Sequence, residues 1–356
     1  MKIAVLCGGA SPERGISLES GVAVAAAMVE LGHEVQMVDP AAEEPVLAGP
    51  TRTTSALPRD AAGPRGRLDE GKRRQLMCHS LTAGTVLPLL RGVDLTFPAL
   101  HGGWGGDGHL QALLEMAEIP FAGAASAQCS LAWDKHRTLA LLRESGVTVT
   151  DSVRFPAASD QPVPQPVSQL LGQGPVVVKS NWGTSHLELR LADDADELAR
   201  VSSSAPAGEV LIATPFLAGR EFTVSVIGRT VLPVVEIQYR GRLFDYETKS
   251  RPESVRCHSP ADIPLKLASC LRDQAWGAHE ALGLGVQDYS RIDFRCDTDG
   301  VPHCLEVNAC PGLRPLSGVG AAATGAGWSY RDLIGRIIAL RTEAESLRGL
   351  ALDVTA

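Results

Sequence analysis

Two neighbouring stretches, "RIDFRCDTDG" at 291–300 and "HCLEVNACPG" at 303–312, decide how the fold is interpreted. The second is typical of a strand that breaks into a Pro-Gly turn, and the first is typical of its partner in a hairpin. Residues two apart on a strand point to the same face, so each stretch brings two polar side chains to one surface. Those four side chains are Arg291, Asp293, Glu306 and Asn308.

This crowding of polar groups has two interpretations. Asp293, Glu306 and Asn308 offer hard oxygen ligands, and one or two Mg²⁺ ions bridging a nucleotide's phosphates would use all three. Alternatively, the hairpin lies at the surface and its charges face water, which is common on half-exposed strands. The alternation alone does not separate the two interpretations.

Composition narrows the function classes. A chain of 356 residues suggests two or three domains. The net charge of -8 and the lack of basic runs argue against nucleic-acid binding. No apolar stretch approaches the roughly 20 residues of a membrane span, and the opening stretch is too short for a signal peptide. The eight cysteines form no CxxC pair, which indicates reduced thiols and a cytoplasmic protein without a zinc knuckle.

The first domain is predicted over residues 1–122. "KIAVLCGG" and "EVQMVDP" are typical of strands, and "SLESGVAVAAAMVELGH" is typical of a helix, with Ser17 and Ser20 as candidate caps. This order predicts a βαβ unit with parallel strands. Residues 41–74 are predicted to be a surface excursion. "VDLTFPALHGG", "HLQALLEMAEI" and "PFAG" are predicted to be a strand, a helix and a short strand.

Two further pieces complete an α/β architecture of three domains. Residues 123–215 are predicted to form a small α+β lobe, with "GPVVVKS" and "EVLIATPF" as strands around one helix. Residues 216–356 contain "REFTVSVIGRTVLPVVEIQY", a hairpin about its Gly-Arg turn, and then a long loop over 246–264. A helix follows that loop and leads into the Arg291–Asn308 hairpin, and an amphipathic helix ends the chain.

Lysines provide candidate phosphate contacts. Lys135 begins a predicted helix, Lys179 ends the strand "PVVVK", and Lys249 lies in the predicted long loop. Three converging ammonium groups would hold phosphate oxygens, although each lysine could instead be solvated. The loop "KSNWGTSH" is a weak candidate for an anion-binding nest. The GxxxxGK(S/T) pattern does not occur, and the loop "CGGASPERG" after the first predicted strand does not match GxGxxG, so phosphate-loop and dinucleotide-binding folds are disfavoured.

Two loops of the first domain are candidates for substrate binding. "GGASPERGISLESG" (8–21) and "ALHGGWGGDG" (99–108) each follow a predicted strand. Ligands of open parallel sheets bind at the carboxyl ends of the strands, so Glu13 and His101 are placed to meet a substrate. For His101, a purely structural hydrogen-bonding role is an equal alternative.

Eight segments resemble, in the same order, those of the D-alanine–D-alanine ligase family of the ATP-grasp superfamily. They cover nearly the whole chain and are "GGASPERGISLESG", "FPALHGGWGGDGHLQALLEMAEIPFAG", "DKHRTLALL", "VVVKSNWGTS", "GREFTV", "FDYETK", "RIDFRCDTDG" and "EVNACPG". The resemblance implies an N-terminal Rossmann-like domain followed by two ATP-grasp lobes. It also implies a ligase that uses ATP and Mg²⁺, or Mn²⁺ in its place, acts on small amino-acid substrates and forms a homodimer.

The resemblance assigns roles by position. The residues implied as magnesium ligands are Asp293, Glu306 and Asn308. Those implied as nucleotide contacts are Lys135, Lys179, Gly183, Phe216, Leu217, Glu221 and Lys249. Those implied in catalysis or in binding the two amino acids are Glu13, His101, Thr184, Ser185, Ser250, Arg291, Gly312, Arg314 and Ser317. Of these, Arg291 and the Gly312 N–H would stabilise an oxyanion, and Glu13 would receive the first substrate's ammonium.

Several positions depart from the family pattern around the substrate sites. The loop "KSNWGTSHL" is one residue shorter than usual and has Leu187 where a glycine is expected. Ala213 and Thr214 replace an acidic residue that receives the adenine amine, and Ser250 replaces a tyrosine that closes the active site. Arg314 replaces a small hydroxyl residue; its guanidinium suits an acidic substrate group, unless it points into water.

Two substrate hypotheses follow within the ligase class. One is a peptidoglycan-precursor D-Ala-D-Ala ligase, and the other is a specialised ligase that makes a natural-product amide or dipeptide. The altered loops favour the second, because pocket contacts set specificity. A non-catalytic nucleotide-binding relative is disfavoured by the complete set of lysines and metal ligands. An NAD(P) dehydrogenase is suggested only by the opening βαβ unit, and the loop of that unit, "CGGASPERG", argues against it because it does not match GxGxxG.

Overall fold

Three β-sheets organise the described part of the chain, which a computed structural model covers over residues 1–47, 70–157, 163–183, 189–206, 208–244 and 255–353. The architecture is α/β, as predicted. The strands are β1 Lys2–Leu6, β2 Glu34–Val38, β3 Leu95–Pro98, β4 Val153–Pro156, β5 Val176–Ser180, β6 Arg190–Ala192, β7 Val210–Pro215, β8 Glu221–Ile227, β9 Thr230–Val231, β10 Val235–Tyr239, β11 Val255–His258, β12 Tyr289–Cys296 and β13 Pro302–Asn308. The helices are α1 Arg14–Glu30, α2 Glu70–Thr82, α3 Val86–Leu90, α4 His109–Met116, α5 Ser126–Trp133, α6 Lys135–Glu144, α7 Gln165–Leu171, α8 Ala195–Ser204, α9 Leu265–Ala281, α10 Gly318–Gly325 and α11 Tyr330–Asp353.

The first sheet is parallel, with the strand order β2-β1-β3. Helix α1 connects β1 to β2, and Ile3 of the central strand lies between Val35 and Leu95. The predicted βαβ unit is therefore confirmed. The predicted short strand "PFAG" is wrong in extent, because only Phe121 pairs there, in an isolated parallel bridge to Thr96.

Helix α1 begins earlier than its serines suggested. It starts at Arg14, so Ser17 and Ser20 lie inside it and neither is its cap. The Ser17 hydroxyl instead accepts a hydrogen bond from the Gly8 N–H at 2.9 Å and donates one to the Ala99 carbonyl at 2.7 Å. Buried hydroxyls need such partners, and these two bonds tie the helix to the ends of β1 and β3.

The second sheet forms the small lobe and is antiparallel, with the strand order β4-β7-β5-β6. Helices α7 and α8 cover it, and its apolar core contains Phe155, Val167, Val176 and Leu198. The sequence did not predict helix α7, because its segment is rich in proline. A proline in the first turn of a helix is tolerated, since no N–H is required there.

The third sheet is antiparallel and carries the hairpin that opened the sequence argument. Its strand order is β11-β10-β8-β12-β13, and β9 pairs with β8. The predicted hairpin about the Gly-Arg turn is confirmed, because β8 pairs with both β9 and β10. Strand β11 lies within the segment predicted to be a long loop. It forms its hydrogen-bond ladder with β10, where His258 lies opposite Glu236.

The apolar cores join segments that are distant in sequence. Helices α5, α6 and α9 pack on the third sheet, where Leu142 and Leu271 belong to the same cluster as Phe222 and Phe294. Helices α10 and α11 share a core with α1 and the first sheet. The predicted boundaries after residues 122 and 215 stay predictions. Among the described residues, no helix has the length and apolar composition needed to cross a membrane.

Two glycines of helix α1 have opposite surroundings and test its packing. A Cβ on Gly21 would overlap the Cβ of Cys7, whereas a Cβ on Gly15 would have no atom within 4 Å. We expect Gly21→Ala to lower the free energy of unfolding by about 1–3 kcal/mol through overpacking. Gly15→Ala should leave it unchanged or raise it by up to about 1 kcal/mol, because alanine favours helix. Chemical denaturation measures both, and a fully stable Gly21→Ala variant would contradict the packing of α1 on β1.

Candidate active site

The hairpin of β12 and β13 brings its polar residues to one face. Asp293 lies directly opposite Glu306, and Arg291 lies directly opposite Asn308. Because side chains alternate along a strand, these two cross-strand pairs point to the same side of the sheet. This confirms the geometric prediction made from the alternation, and it concentrates two carboxylates at adjacent positions.

The Asp293 carboxylate is held by two neighbours. Arg291 donates to both of its oxygens, from Nε at 2.9 Å and from Nη2 at 2.7 Å. The Thr223 hydroxyl of β8 donates to Oδ1 at 2.7 Å. Burial disfavours the charged form of Arg291, but the adjacent Asp293 carboxylate outweighs it and raises the pKa of the guanidinium above its ordinary value. The Asp293 side chain is therefore fixed in position.

The Glu306 carboxylate is approached from the small lobe. Lys179, on β5, places its Nζ 3.6 Å from Glu306 Oε2, and the two side chains are 16% and 31% exposed. This contact joins the second sheet to the third across the site. It also explains a lysine on a strand of the lobe, since the ammonium is paired.

Lys135 approaches from the start of helix α6. Its side chain is buried, and its Nζ donates to the Gly183 carbonyl. Its backbone N–H donates to the Asn181 carbonyl at 3.1 Å. Lys135 therefore lies against the segment that directly follows Lys179 and β5. The predicted site residues Thr184, Ser185, Lys249 and Ser250, and also Leu187, lie outside the described residues.

The two predicted substrate loops of the first domain meet. The Ser11 hydroxyl donates to the His101 carbonyl. A Cβ on Gly102 would lie 3.0 Å from Glu13 Oε2, so the Glu13 carboxylate packs against this backbone. Gly102 has a φ of 70°, which favours glycine. The carboxyl ends of β1 and β3 thus bring Glu13 next to the His101 loop, as predicted.

The His101 imidazole links the first domain to the Pro-Gly turn. Its Nε2 lies 2.9 Å from the Ser20 hydroxyl of helix α1. A Cβ on Gly312 would lie 3.6 Å from the ring, so the turn packs directly against it. Burial, and then the charges of Arg314 and Arg291, lower the pKa of His101 to about 4. The ring is therefore neutral near pH 7, and its contacts are those of a structural hydrogen-bonder.

The loop after the turn carries Arg314 and Ser317. Arg314 does not simply point into water: its Nη1 lies 2.9 Å from Glu19 Oε2 on helix α1. Ser317 caps helix α10, and its hydroxyl accepts from the Gly320 N–H at 3.3 Å. Both residues therefore hold the loop in place, and both stay at the edge of the site.

The predicted nucleotide contacts Phe216, Leu217 and Glu221 lie together after β7. Phe216 stacks between two guanidinium groups, with Arg242 4.8 Å and Arg295 4.9 Å from its ring centre. Arg295 also lies 3.7 Å from Glu221 Oε2, which links the aromatic ring to the carboxylate. The Tyr239 hydroxyl donates to the same Glu221 oxygen at 2.6 Å.

Ala213 and Thr214, which replace the acidic residue expected to receive the adenine amine, lie within a strand. Ala213 and Thr214 belong to β7 and pair with Val178 and Val177 of β5. Ala213 lies in the apolar core of the second sheet, where an acidic side chain would have no partner.

Sequence reasoning missed several residues that organise the site. Thr223 contacts Asp293 because β8 pairs with β12, and no local pattern in "REFTV" indicates this. Asn181 and Asp134 form a buried hydrogen bond next to Lys135. Only Asp134 carried a signal, because an aspartate before a helical pattern is a typical N-cap.

The donor set fits a magnesium ion that also binds phosphates. Within the described ranges, no group of three or more His, Cys, Asp and Glu side chains could hold a metal by itself. Asp293 and Glu306 supply two adjacent carboxylates, and Asn308 supplies an amide whose Oδ1 also accepts from the Cys310 N–H at 3.0 Å. Mg²⁺ characteristically takes one or two carboxylates and completes its shell with phosphate and water oxygens.

Comparisons with known proteins agree with this architecture. Two family models match, "D-ala D-ala ligase N-terminus" over residues 2–124 and "D-ala D-ala ligase C-terminus" over residues 141–339. A D-alanine--D-alanine ligase of Halalkalibacterium halodurans is 33% identical over 94% of this chain and 97% of its own length. One of Syntrophotalea carbinolica is 32% identical over 95% of each chain.

Solved structures share the whole fold. The ATP complex of D-alanine--D-alanine ligase from Bacillus anthracis matches with a TM-score of 0.73 at 22% identity, covering 98% of this chain and 99% of that one. VanG D-Ala:D-Ser ligase from Enterococcus faecalis matches with a TM-score of 0.73 at 24% identity, covering 96% and 99%. The fold is that of the ATP-grasp ligases. The chain belongs to the D-alanine–D-alanine ligase family.

The environment of His101 predicts a pH-dependent stability. Folding lowers its pKa from 6.5 to about 4, so between these pH values the unfolded chain binds the proton more tightly. Stability should rise with pH through this window, with a His101 share on the order of 3 kcal/mol. His101→Asn keeps a hydrogen-bonding side chain beside Ser20 and should show a flatter dependence between pH 4 and 6.5. Identical pH profiles of unfolding for the two proteins would contradict a neutral His101.

Proposed function

We propose that this protein is an ATP- and Mg²⁺-dependent carboxylate–amine ligase that joins two molecules of D-alanine. The observation that carries the proposal is the contact of Lys179 with Glu306 beside Asp293, because an ammonium 3.6 Å from a candidate metal ligand is suited to bind the phosphates of a metal–nucleotide complex. Family membership supports the same activity, since the curated relatives are named D-alanine--D-alanine ligase.

The first half-reaction transfers a phosphoryl group. The γ-phosphoryl of ATP moves to a carboxylate oxygen of the first amino acid, giving an acyl phosphate and ADP. Lys135 and Lys179 hold phosphate oxygens as point charges, and such positioning is most of what this chemistry requires. Asp293, Glu306 and Asn308 would hold Mg²⁺, which neutralises phosphate charge when bound.

The second half-reaction forms the amide. The amine of the second amino acid attacks the acyl carbon, the new C–N bond forms, and the C–O bond to phosphate breaks as the nitrogen loses a proton. Arg291 uses Nε and Nη2 on Asp293, so its Nη1 edge lies outside that pair and is suited to a developing oxyanion. The Gly312 N–H is assigned as a second donor to the oxyanion.

The amino-acid subsites lie at the loops of the first and third sheets. Glu13, at the carboxyl end of β1, is assigned to the ammonium of the first substrate, because a carboxylate suits a primary ammonium. Ser317 is assigned to the carboxylate of the second substrate through its O–H. The homodimer and the cytoplasmic location that the sequence suggested stay predictions.

The alternative of a specialised ligase is not favoured. Its chief physical argument was that the Arg314 guanidinium would attract an acidic substrate group. That guanidinium already has a carboxylate partner, Glu19, at 2.9 Å. The two curated relatives named above are D-alanine--D-alanine ligases by name, and their matches span nearly the whole chain. D-alanine is therefore the substrate that we assign to both sites.

A substrate panel tests the proposed activity. With ATP and Mg²⁺, D-alanine as sole amino acid should release phosphate and yield D-alanyl-D-alanine, detected by mass spectrometry. L-alanine is the matched control and should give no dipeptide, and chelation of Mg²⁺ should stop phosphate release. Turnover that requires any other acid or amine, with none on D-alanine alone, would overturn the substrate assignment.

Glu306 tests the metal and phosphate site. Glu306→Gln removes one charged ligand and the partner of Lys179 while keeping the side-chain shape, so we expect kcat to fall by about 10²–10³. The Mg²⁺ concentration for half-maximal rate should rise, because an amide is a weaker ligand for Mg²⁺. Glu280→Gln, on the exposed face of α9, is the control and should behave like the parent. A Glu306→Gln variant with parental kinetics at all Mg²⁺ concentrations would refute this role.

A further inference from the structure

The buried side chain of Asn181 makes several hydrogen bonds next to Lys135 and Lys179. It directly follows β5, two residues after Lys179, and its side chain is fully buried. Its Nδ2 donates to Asp134 Oδ1 at 2.9 Å, and its Oδ1 accepts from the His136 N–H at 3.0 Å. One side chain therefore bonds to both residues that flank Lys135.

The backbone of Asn181 strengthens the same connection. Its carbonyl accepts from the Lys135 N–H at 3.1 Å, and its N–H donates to the Val210 carbonyl of β7 at 2.8 Å. The amide side chain and both backbone groups of one residue thus tie β5 to the beginning of helix α6 and to β7. These bonds constrain the backbone of β5 and of the beginning of helix α6.

Asp134 completes the contact from the helix side. It is the N-cap of helix α6, and its Oδ1 also accepts from the Arg137 N–H at 3.2 Å. Burial disfavours its charge, but the hydrogen bonds from the Asn181 amide and the Arg137 backbone outweigh burial and lower the pKa of Asp134 below its ordinary value. The pair is therefore an amide donor facing an ionised acceptor, which is a strong hydrogen bond.

The geometric consequence concerns the lysines. Lys135 lies between Asp134 and His136, and Lys179 lies two residues before Asn181. Buried polar groups are costly to leave unpaired, so the contact resists opening. The backbones that carry the two ammonium groups are consequently held at one spacing.

We propose that Asn181 and Asp134 form a buried polar clamp that positions Lys135 and Lys179 for the phosphates of ATP and thereby sets nucleotide affinity. This inference rests on the proposed ATP-dependent function. Neither residue needs to touch the nucleotide, so both are positioning residues. Opening of the clamp should weaken ATP binding, because it separates two charges that must bind one phosphate chain together.

Substitutions of the pair separate the clamp from general stability. Asn181→Asp would bring two carboxylates, at positions 134 and 181, to hydrogen-bonding distance of each other. Their repulsion should open the clamp. The exchange D134N/N181D restores one donor and one acceptor, with the amide now on the helix side and the carboxylate on the strand side. In the exchange, the His136 N–H keeps a carboxylate acceptor at position 181, whereas the Arg137 N–H, which shares Asp134 Oδ1 with the Asn181 amide, needs a rotated amide at position 134 to keep its acceptor. Asp194→Asn is the control, because Asp194 caps helix α8 in the same way, on the second sheet that also carries Lys179.

Calorimetric titration with ATP and Mg²⁺, without amino acids, measures the affinity directly. We expect Asn181→Asp to weaken binding at least about tenfold, as small misplacements of binding groups do. The exchange should recover the parental Kd to within about threefold, and Asp194→Asn should leave it unchanged. All titrations are done well below each variant's unfolding temperature. A purely structural role would lower that temperature and leave the Kd of the folded protein alone.

The outcomes separate a failure of the clamp proposal from a failure of the proposed function. Parental affinity in folded Asn181→Asp overturns the proposal, and so does a weakened Asn181→Asp that the exchange fails to restore. Should Asn181→Asp not fold, Asn181→Ser removes the amide without adding charge, and parental affinity in that variant overturns the proposal equally. If the parent protein itself neither binds ATP nor releases phosphate with D-alanine, the proposed function fails, which is distinct from failure of the clamp.

Discussion

The candidate active site depends on two carboxylates, Asp293 and Glu306, that face each other across antiparallel strands. Like charges in directly opposed positions destabilise a sheet. Here each carboxylate has a cation: Arg291 from its own strand binds Asp293, and Lys179 from another sheet approaches Glu306. The hairpin therefore draws the small lobe toward it electrostatically. A divalent cation bound between the carboxylates would relieve the same repulsion, so the arrangement suits a metal–phosphate ligand.

The first domain reaches this centre through two polar contacts of helix α1. Ser20 holds the His101 ring against Gly312, and Glu19 pairs with Arg314 two residues further along the same loop. The loop that follows the Pro-Gly turn is thus positioned by a helix of a different sheet. A neutral His101 suits this arrangement, because a charged imidazole would lie close to two guanidinium groups.

The departures from the family pattern acquire different meanings in three dimensions. Arg314 has a carboxylate partner within the protein, Glu19, in an ion pair whose side chains are both partly exposed. Ala213 is buried in the second sheet, so the missing acidic residue removes no contact at that position. At the predicted nucleotide contacts, the Phe216 ring instead lies against the guanidinium groups of Arg242 and Arg295. The departures at Arg314 and Ala213 therefore lie in separate parts of the molecule.

The sequence by itself determined the hairpin, its polar face and the parallel βαβ unit, because side-chain alternation and helical periodicity are local properties. It did not indicate strand β11, which exists only by pairing with β10, or helix α10, whose three glycines within "GVGAAATG" are poor helix formers. The contacts of Lys179 with Glu306 and of Asn181 with Asp134 were decided by the tertiary structure alone. They join residues far apart in sequence, and only the packing of three sheets sets which distant side chains meet.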